Sequence, residues 1–133
     1  MSKASGLGQT TLSVDTSAGT PTDIRNDVTN WQMATPRGVQ DTTGVDKSAN
    51  ERLLLLADMS CTYNGVFNAT GAHLVFRTVP STSVARTCTN TVNGVTLAGE
   101  LLFSDYQLTR ADSGELTWSA PGALADGTVP TWA

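Results

Sequence analysis

Apolar and polar positions alternate with a period of two along most of the chain, which is the signature of strands with one buried face. Leu12 and Val14 fall on one side of Gln9–Thr16. Ile24, Val28, Trp31 and Met33 mark a run whose phase slips near Thr29 and Asn30, where a bulge or bend is expected. Val39 to Thr43 fits a short edge strand after the break at Pro36 and Gly38. Met59, Cys61 and Tyr63 alternate with Ser60, Thr62 and Asn64. Asn64-Gly65 then reads either as a tight turn or as a bulge in a strand that continues through Val66 and Phe67.

Ala72–Val79 is read as a strand, with His73, Val75, Arg77 and Val79 on one face, stopped by Pro80. Val84–Val92 and Val95–Phe103 flank Asn93-Gly94, the clearest hairpin of the chain, because both turn residues tolerate positive φ. Tyr106–Arg110 and Glu115–Ala120 flank a further turn at Asp112-Ser113-Gly114, with Leu116 and Trp118 on one face.

One segment departs from this pattern. Four consecutive leucines, Leu53 to Leu56, fit a short buried helix or a strand buried on both sides, and periodicity does not separate the two. Ser48 followed by Glu51 has capping-box spacing, and no proline or glycine interrupts Ala49–Asp58, so a helix is expected over about 48–58. The expected fold is therefore mainly β: an antiparallel two-sheet β-sandwich or barrel-like domain with one short flanking α-helix. Its core spans 23–120. A flexible N-terminal arm (1–22) holding a candidate first strand precedes it, and a Gly/Pro-rich C-terminal arm (121–133) follows.

Composition adds exclusions. At 133 residues and 15% charged, the chain has one core, and 21 threonines, 11 serines and 12 glycines replace the missing charge. A net charge of −4 leaves no basic nucleic-acid footprint. No apolar run approaches the length of a membrane span, so no membrane anchor is expected, and the first 20 residues lack the layout of an export signal. Cys61 and Cys88 with the one histidine, His73, do not make a zinc set; buried thiols and a structural histidine are the simplest readings. No nucleophile elbow, phosphate loop or calcium-loop spacing is present, so no catalytic, cofactor or metal residue is assigned. Trp132, beside Pro130, is a large aromatic that is costly to leave in water, which expects the tail to dock on this subunit or a neighbour. Isolated apolar anchors on two arms around a small core point to assembly rather than chemistry.

In order and in length the chain resembles the major tail tube proteins of long-tailed, non-contractile bacteriophages, from about Thr11 to Trp132. The landmarks begin with Thr11-Leu12-Ser13-Val14-Asp15, Pro21-Thr22-Asp23-Ile24-Arg25-Asn26-Asp27-Val28-Thr29 and Thr35-Pro36-Arg37. They continue with Gln40-Asp41-Thr42-Thr43-Gly44-Val45-Asp46-Lys47-Ser48-Ala49, Asn64-Gly65-Val66-Phe67-Asn68 and His73-Leu74-Val75-Phe76. They close with Arg110-Ala111-Asp112-Ser113-Gly114, Leu116-Thr117-Trp118 and Pro130-Thr131-Trp132.

The resemblance implies a non-enzymatic virion protein whose copies close into rings, commonly of six, and stack into a tube for double-stranded DNA ejection. It implies assembly in the host cytoplasm, with a tail tip or baseplate initiator, a tape measure and a tail terminator as partners. DNA would pass the lumen without specific binding, and an acidic balance suits such a passage because like charge repels phosphate. Asp41, Asp46, Lys47, Ser48 and Glu51, on the loop leading to the expected helix, are candidate contacts to a neighbouring ring. Asn93 and Gly94 are candidates for lumen or inter-ring contact, and Trp132 for docking of the tail. Another head–tail structural protein (terminator, connector or decoration) and a non-catalytic β-sandwich ligand-binding module are the alternatives.

Overall fold

The computed structural model describes residues 3–133, so the first two residues of the expected 1–22 arm lie outside the described residues. Ten strands dominate: β1 (Thr11–Asp15), β2 (Pro21–Asp23), β3 (Val28–Ala34), β4 (Arg37–Asp41), β5 (Arg52–Ala57), β6 (Ser60–Val66), β7 (Arg86–Val92), β8 (Val95–Phe103), β9 (Gln107–Arg110) and β10 (Leu116–Leu124). A five-residue helix α1 (Ala72–Phe76) and a 3-10 turn at Val79–Ser81 complete the chain. The fold is the mainly antiparallel β domain that the alternation predicts.

Eight strands form one sheet, ordered β2-β1-β7-β8-β10-β6-β3, with β9 also on β10. The nine-residue β10 is the branch point. Along one edge it pairs β6 from Thr117 to Ala123. Along the other, Leu116–Ser119 pair β9 and Gly122–Leu124 pair β8. Pro121 falls in the gap between those two partners, so its missing N–H removes no ladder bond. β10 thus runs through Leu124, four residues beyond the core boundary that composition suggests.

The sheet curls over one core to which β1, β6, β7, β8, β10 and α1 each contribute, including Leu12, Val14, Cys61, Tyr63, Cys88, Leu97, Leu101 and Trp118. Its open side is closed by side chains. The Trp31 indole donates to Gln9 Oε1 at 2.9 Å, and Gln9 Nε2 donates to Asn90 Oδ1, joining β3 to β7. The slip expected near Thr29 is a register shift between Val28 and Asn30, and the strand begins there rather than at Ile24.

Two expectations are overturned. The segment 48–58 is not a helix: residues 44–51 are a loop and Arg52–Ala57 is β5, paired with β4. The Glu51 N–H that the Ser48 hydroxyl would have capped donates instead to Thr43 Oγ1 at 2.8 Å, and Glu51 O accepts from Thr42 N at 2.9 Å. A helical start loses to that ladder.

The run 72–79 is not a strand. Its buried residues are Ala72, Val75, Phe76 and Val79, which is helical spacing. Asp27 Oδ2 accepts the Ala72 N–H at 2.8 Å, satisfying a donor that the first helical turn leaves open. Buried Arg86 donates to Val75 O and, at 2.8 Å, to Thr78 Oγ1, holding the other end. His73 therefore sits on α1, with Nδ1 3.1 Å from the Tyr106 hydroxyl.

Gly65 continues β6 instead of turning it, because Asp27 packs against it: a methyl group there would collide with the Asp27 carbonyl oxygen, and one at Gly71 with the Asp27 carboxylate. The Asn93-Gly94 hairpin forms where expected, with φ of 50° and 81°.

Candidate assembly surface

Among the described residues β4 and β5 pair only with each other, as a two-stranded hairpin that joins no strand of the main sheet. Every residue of β4 is exposed, and so is every residue of β5 except Ala57. The sequence that builds this arm is unusual for a solvent-facing hairpin. Leu53 and Leu54 project to opposite sides, with Val39 opposite Leu54, and the ladder then slips between Val39 and Arg37, so that Leu55 and Leu56 sit at a bulge and border one groove together with Leu54. Leu56 is 90% exposed, and Val45 in the connecting loop is 109% exposed. A strand apolar on both faces belongs to a sheet covered on both faces. Among the described residues nothing covers either face of this arm fully, and both its edges are unpaired.

Five of the residues singled out from sequence lie on this arm. Asp41 ends β4, where its carboxylate accepts the N–H and hydroxyl of Thr43 at 2.9 and 2.6 Å; these bonds hold it below the usual carboxylate range. Asp46 lies 3.2 Å from Lys47 Nζ, which lies 3.8 Å from Glu51. Ser48 is exposed in the same loop. The other three gather elsewhere. Asn93 and Gly94 form the tip of the β7–β8 hairpin, and Asn93 Nδ2 donates to Ser5 O. Trp132 bridges Leu97 on that hairpin, with Ala133 exchanging backbone bonds with Thr96 at 2.8 and 2.9 Å. The tail backbone is thus tied to its own subunit, while the Trp132 side chain stays 58% exposed.

Sequence reasoning chose the charged loop and passed over Leu53–Leu56 and Val39 as surface. The available signal was the leucine run itself, apolar on both strand faces.

At the base of the arm lies a groove of about 880 Å³ between β5 and the C-terminal segment, walled by Leu54, Leu56, Val129 and Pro130 and bearing Arg37 and Asp58. Arg37 Nε and Nη2 donate to Leu55 O at 3.0 and 2.8 Å, and no carboxylate pairs with Arg37 among the described residues.

The remaining polar groups are arranged for packing. Cys61 and Cys88 are free and buried. Burial pushes the Cys88 thiol up, whereas the neighbouring Cys88 thiol draws the Cys61 thiol down. Among the described residues no three His, Cys, Asp or Glu side chains gather as a metal set, and no helix is long and apolar enough to cross a membrane.

No protein-family model and no curated protein matches the chain. Solved structures do. A chain in the tail of an empty gene transfer agent particle, determined by helical refinement with C6 symmetry, superposes with a TM-score of 0.70 over 92% of this chain and 95% of its own length, at 14% identity. A chain in the virion of a native gene transfer agent particle gives 0.67 over 90% and 95%, also at 14% identity. Across nearly its whole length, this chain has the fold of those particle subunits.

Proposed function

We propose that this chain is a structural, non-catalytic virion protein whose copies associate into rings and stacked rings, forming a tail tube through which double-stranded DNA leaves the particle. The observation that carries the reading is the β4–β5 arm, exposed and apolar on both faces, on a chain with the fold of a subunit of a C6-symmetric tail. Self-association covers those leucines and both open edges of the arm without any further partner.

The surface area argues the same way. A compact chain of this mass exposes about 6,600 Å², whereas this one exposes 8480 Å². The excess is large enough for more than one interface of ordinary size. The net charge of −4 keeps a DNA passage from becoming a phosphate trap. An initiator at the tail tip, a tape measure and a terminator complete the assembly in this reading.

Negative-stain imaging and native mass spectrometry of the purified chain test it, alone and with a tail-tip initiator supplied. Rings of six subunits and stacked tubes are expected. A single ring that never stacks would favour a connector or terminator, and a strict monomer under every condition would overturn the reading.

A further inference from the structure

We propose that the tip of the β4–β5 arm of one copy seats in the groove at the base of the arm of the next copy, with Val45 against Leu54, Leu56 and Pro130 and Asp46 against Arg37. This contact rests on the self-assembly reading above.

Three observations on one element carry it. The first is shape and polarity. Val45 is fully exposed in the loop at the end of the arm, and the groove is walled by apolar side chains that no described residue covers. The second is charge. The Asp46 carboxylate is 74% exposed beside Lys47, so the tip carries one charge of each sign. The groove does too: Arg37 lacks a carboxylate partner among the described residues, and Asp58 lies in the same groove. Complementary charge of this kind fixes register more than it adds affinity.

The third is vacancy within the subunit. Val45 is fully exposed on its own copy, and neither it nor Asp46 is among the residues that line the groove. The tip of a given copy therefore does not fill its own groove. Tip into groove is a heterologous contact, in which each copy presents one half to the next, and such contacts propagate around a ring or along a tube.

Charge reversal tests the pairing. Arg37→Asp and Asp46→Arg, each alone, are expected to raise the critical concentration for assembly at least about tenfold, because each sets like charges face to face. The double reversal is expected to recover to within about threefold of the original chain. Thermal melting of each variant reads the subunit fold separately, and Val45→Asp, which leaves Arg37 and its bonds to Leu55 untouched, is expected to block assembly with an unchanged melt. If the original chain assembles and the double reversal does no better than the worse single variant, or the single variants assemble normally, the contact is overturned while self-assembly stands. If the original chain never assembles, the self-assembly reading falls and takes the contact with it.

Discussion

At the residue scale, two buried polar groups behave oppositely. Asp27 is a hub: its carboxylate accepts the Ala72 N–H at 2.8 Å and Asn68 Nδ2 at 3.0 Å, and its carbonyl accepts the Val66 N–H at 3.1 Å. Asp27→Ala leaves the start of α1 and the Asn68 amide unpaired. The expected loss is about 2–3 kcal/mol in chemical denaturation, and a loss under about 0.5 kcal/mol would remove Asp27 from that role. Tyr63 is the contrary case. Its hydroxyl is buried with no hydrogen-bond partner among the described residues, while Cys61 and Cys88 lie near enough to perturb its ionisation. Burial first, and then those thiols, push the phenol well above its ordinary value of 10.0. A raised phenol favours the folded state fully below pH 10, and that contribution is lost as pH climbs beyond it. Tyr63→Phe is therefore expected to keep or raise stability near neutrality, by up to about 1 kcal/mol, and to flatten the alkaline fall in melting temperature. A steeper alkaline fall in the variant would contradict this.

At the element scale, the same four leucines explain both the principal misreading and the proposed assembly surface. A run apolar on every face states that it will be covered, but it does not state by what. Expecting the cover to be this subunit's own core leads to a buried helix; the core is instead completed by other strands, and the run is left on a free hairpin. Ala72–Val79 misled for a related reason. Over a stretch as short as Ala72–Val79, spacing of two and of three to four select overlapping residues, here Val75 and Val79. The decision came from Asp27, 45 residues away in sequence. The arm makes a direct prediction. Leu53→Lys with Leu55→Lys removes one half of the exposed leucine run, and Leu54→Lys with Leu56→Lys removes the other. Each pair is expected to leave the subunit melt within about 0.5 kcal/mol of the original while preventing rings and tubes in negative stain. A lowered melt would mean that the arm stabilises the subunit itself.

At the scale of the whole molecule, a chain with little charge exposes more surface than its mass requires. Its open edges, uncovered arm and half-exposed Trp132 suit a part that is finished by neighbours. The acidic balance sets a further expectation: at physiological salt neither the subunit nor the assembled particle retards a short DNA duplex in a gel. A salt-sensitive shift would show a basic track that the net charge of −4 conceals.

By itself, the sequence determined what short-range geometry dictates. The alternation set the mainly β class and the faces of β1, β6 and β10, because side-chain direction reverses at every residue of a strand. Asn93-Gly94 set the β7–β8 hairpin, because few other residue pairs accept two positive φ values. The order of landmarks pointed to the tail-subunit fold. Only tertiary structure decided the rest: that Leu53–Leu56 form a strand, that residues 72–76 coil, and that Pro121 extends β10. Each of these depends on which distant group takes a particular backbone donor (Thr43 for Glu51, Asp27 for Ala72) or on where neighbouring strands happen to end, and such long-range pairings leave no periodic mark in the chain.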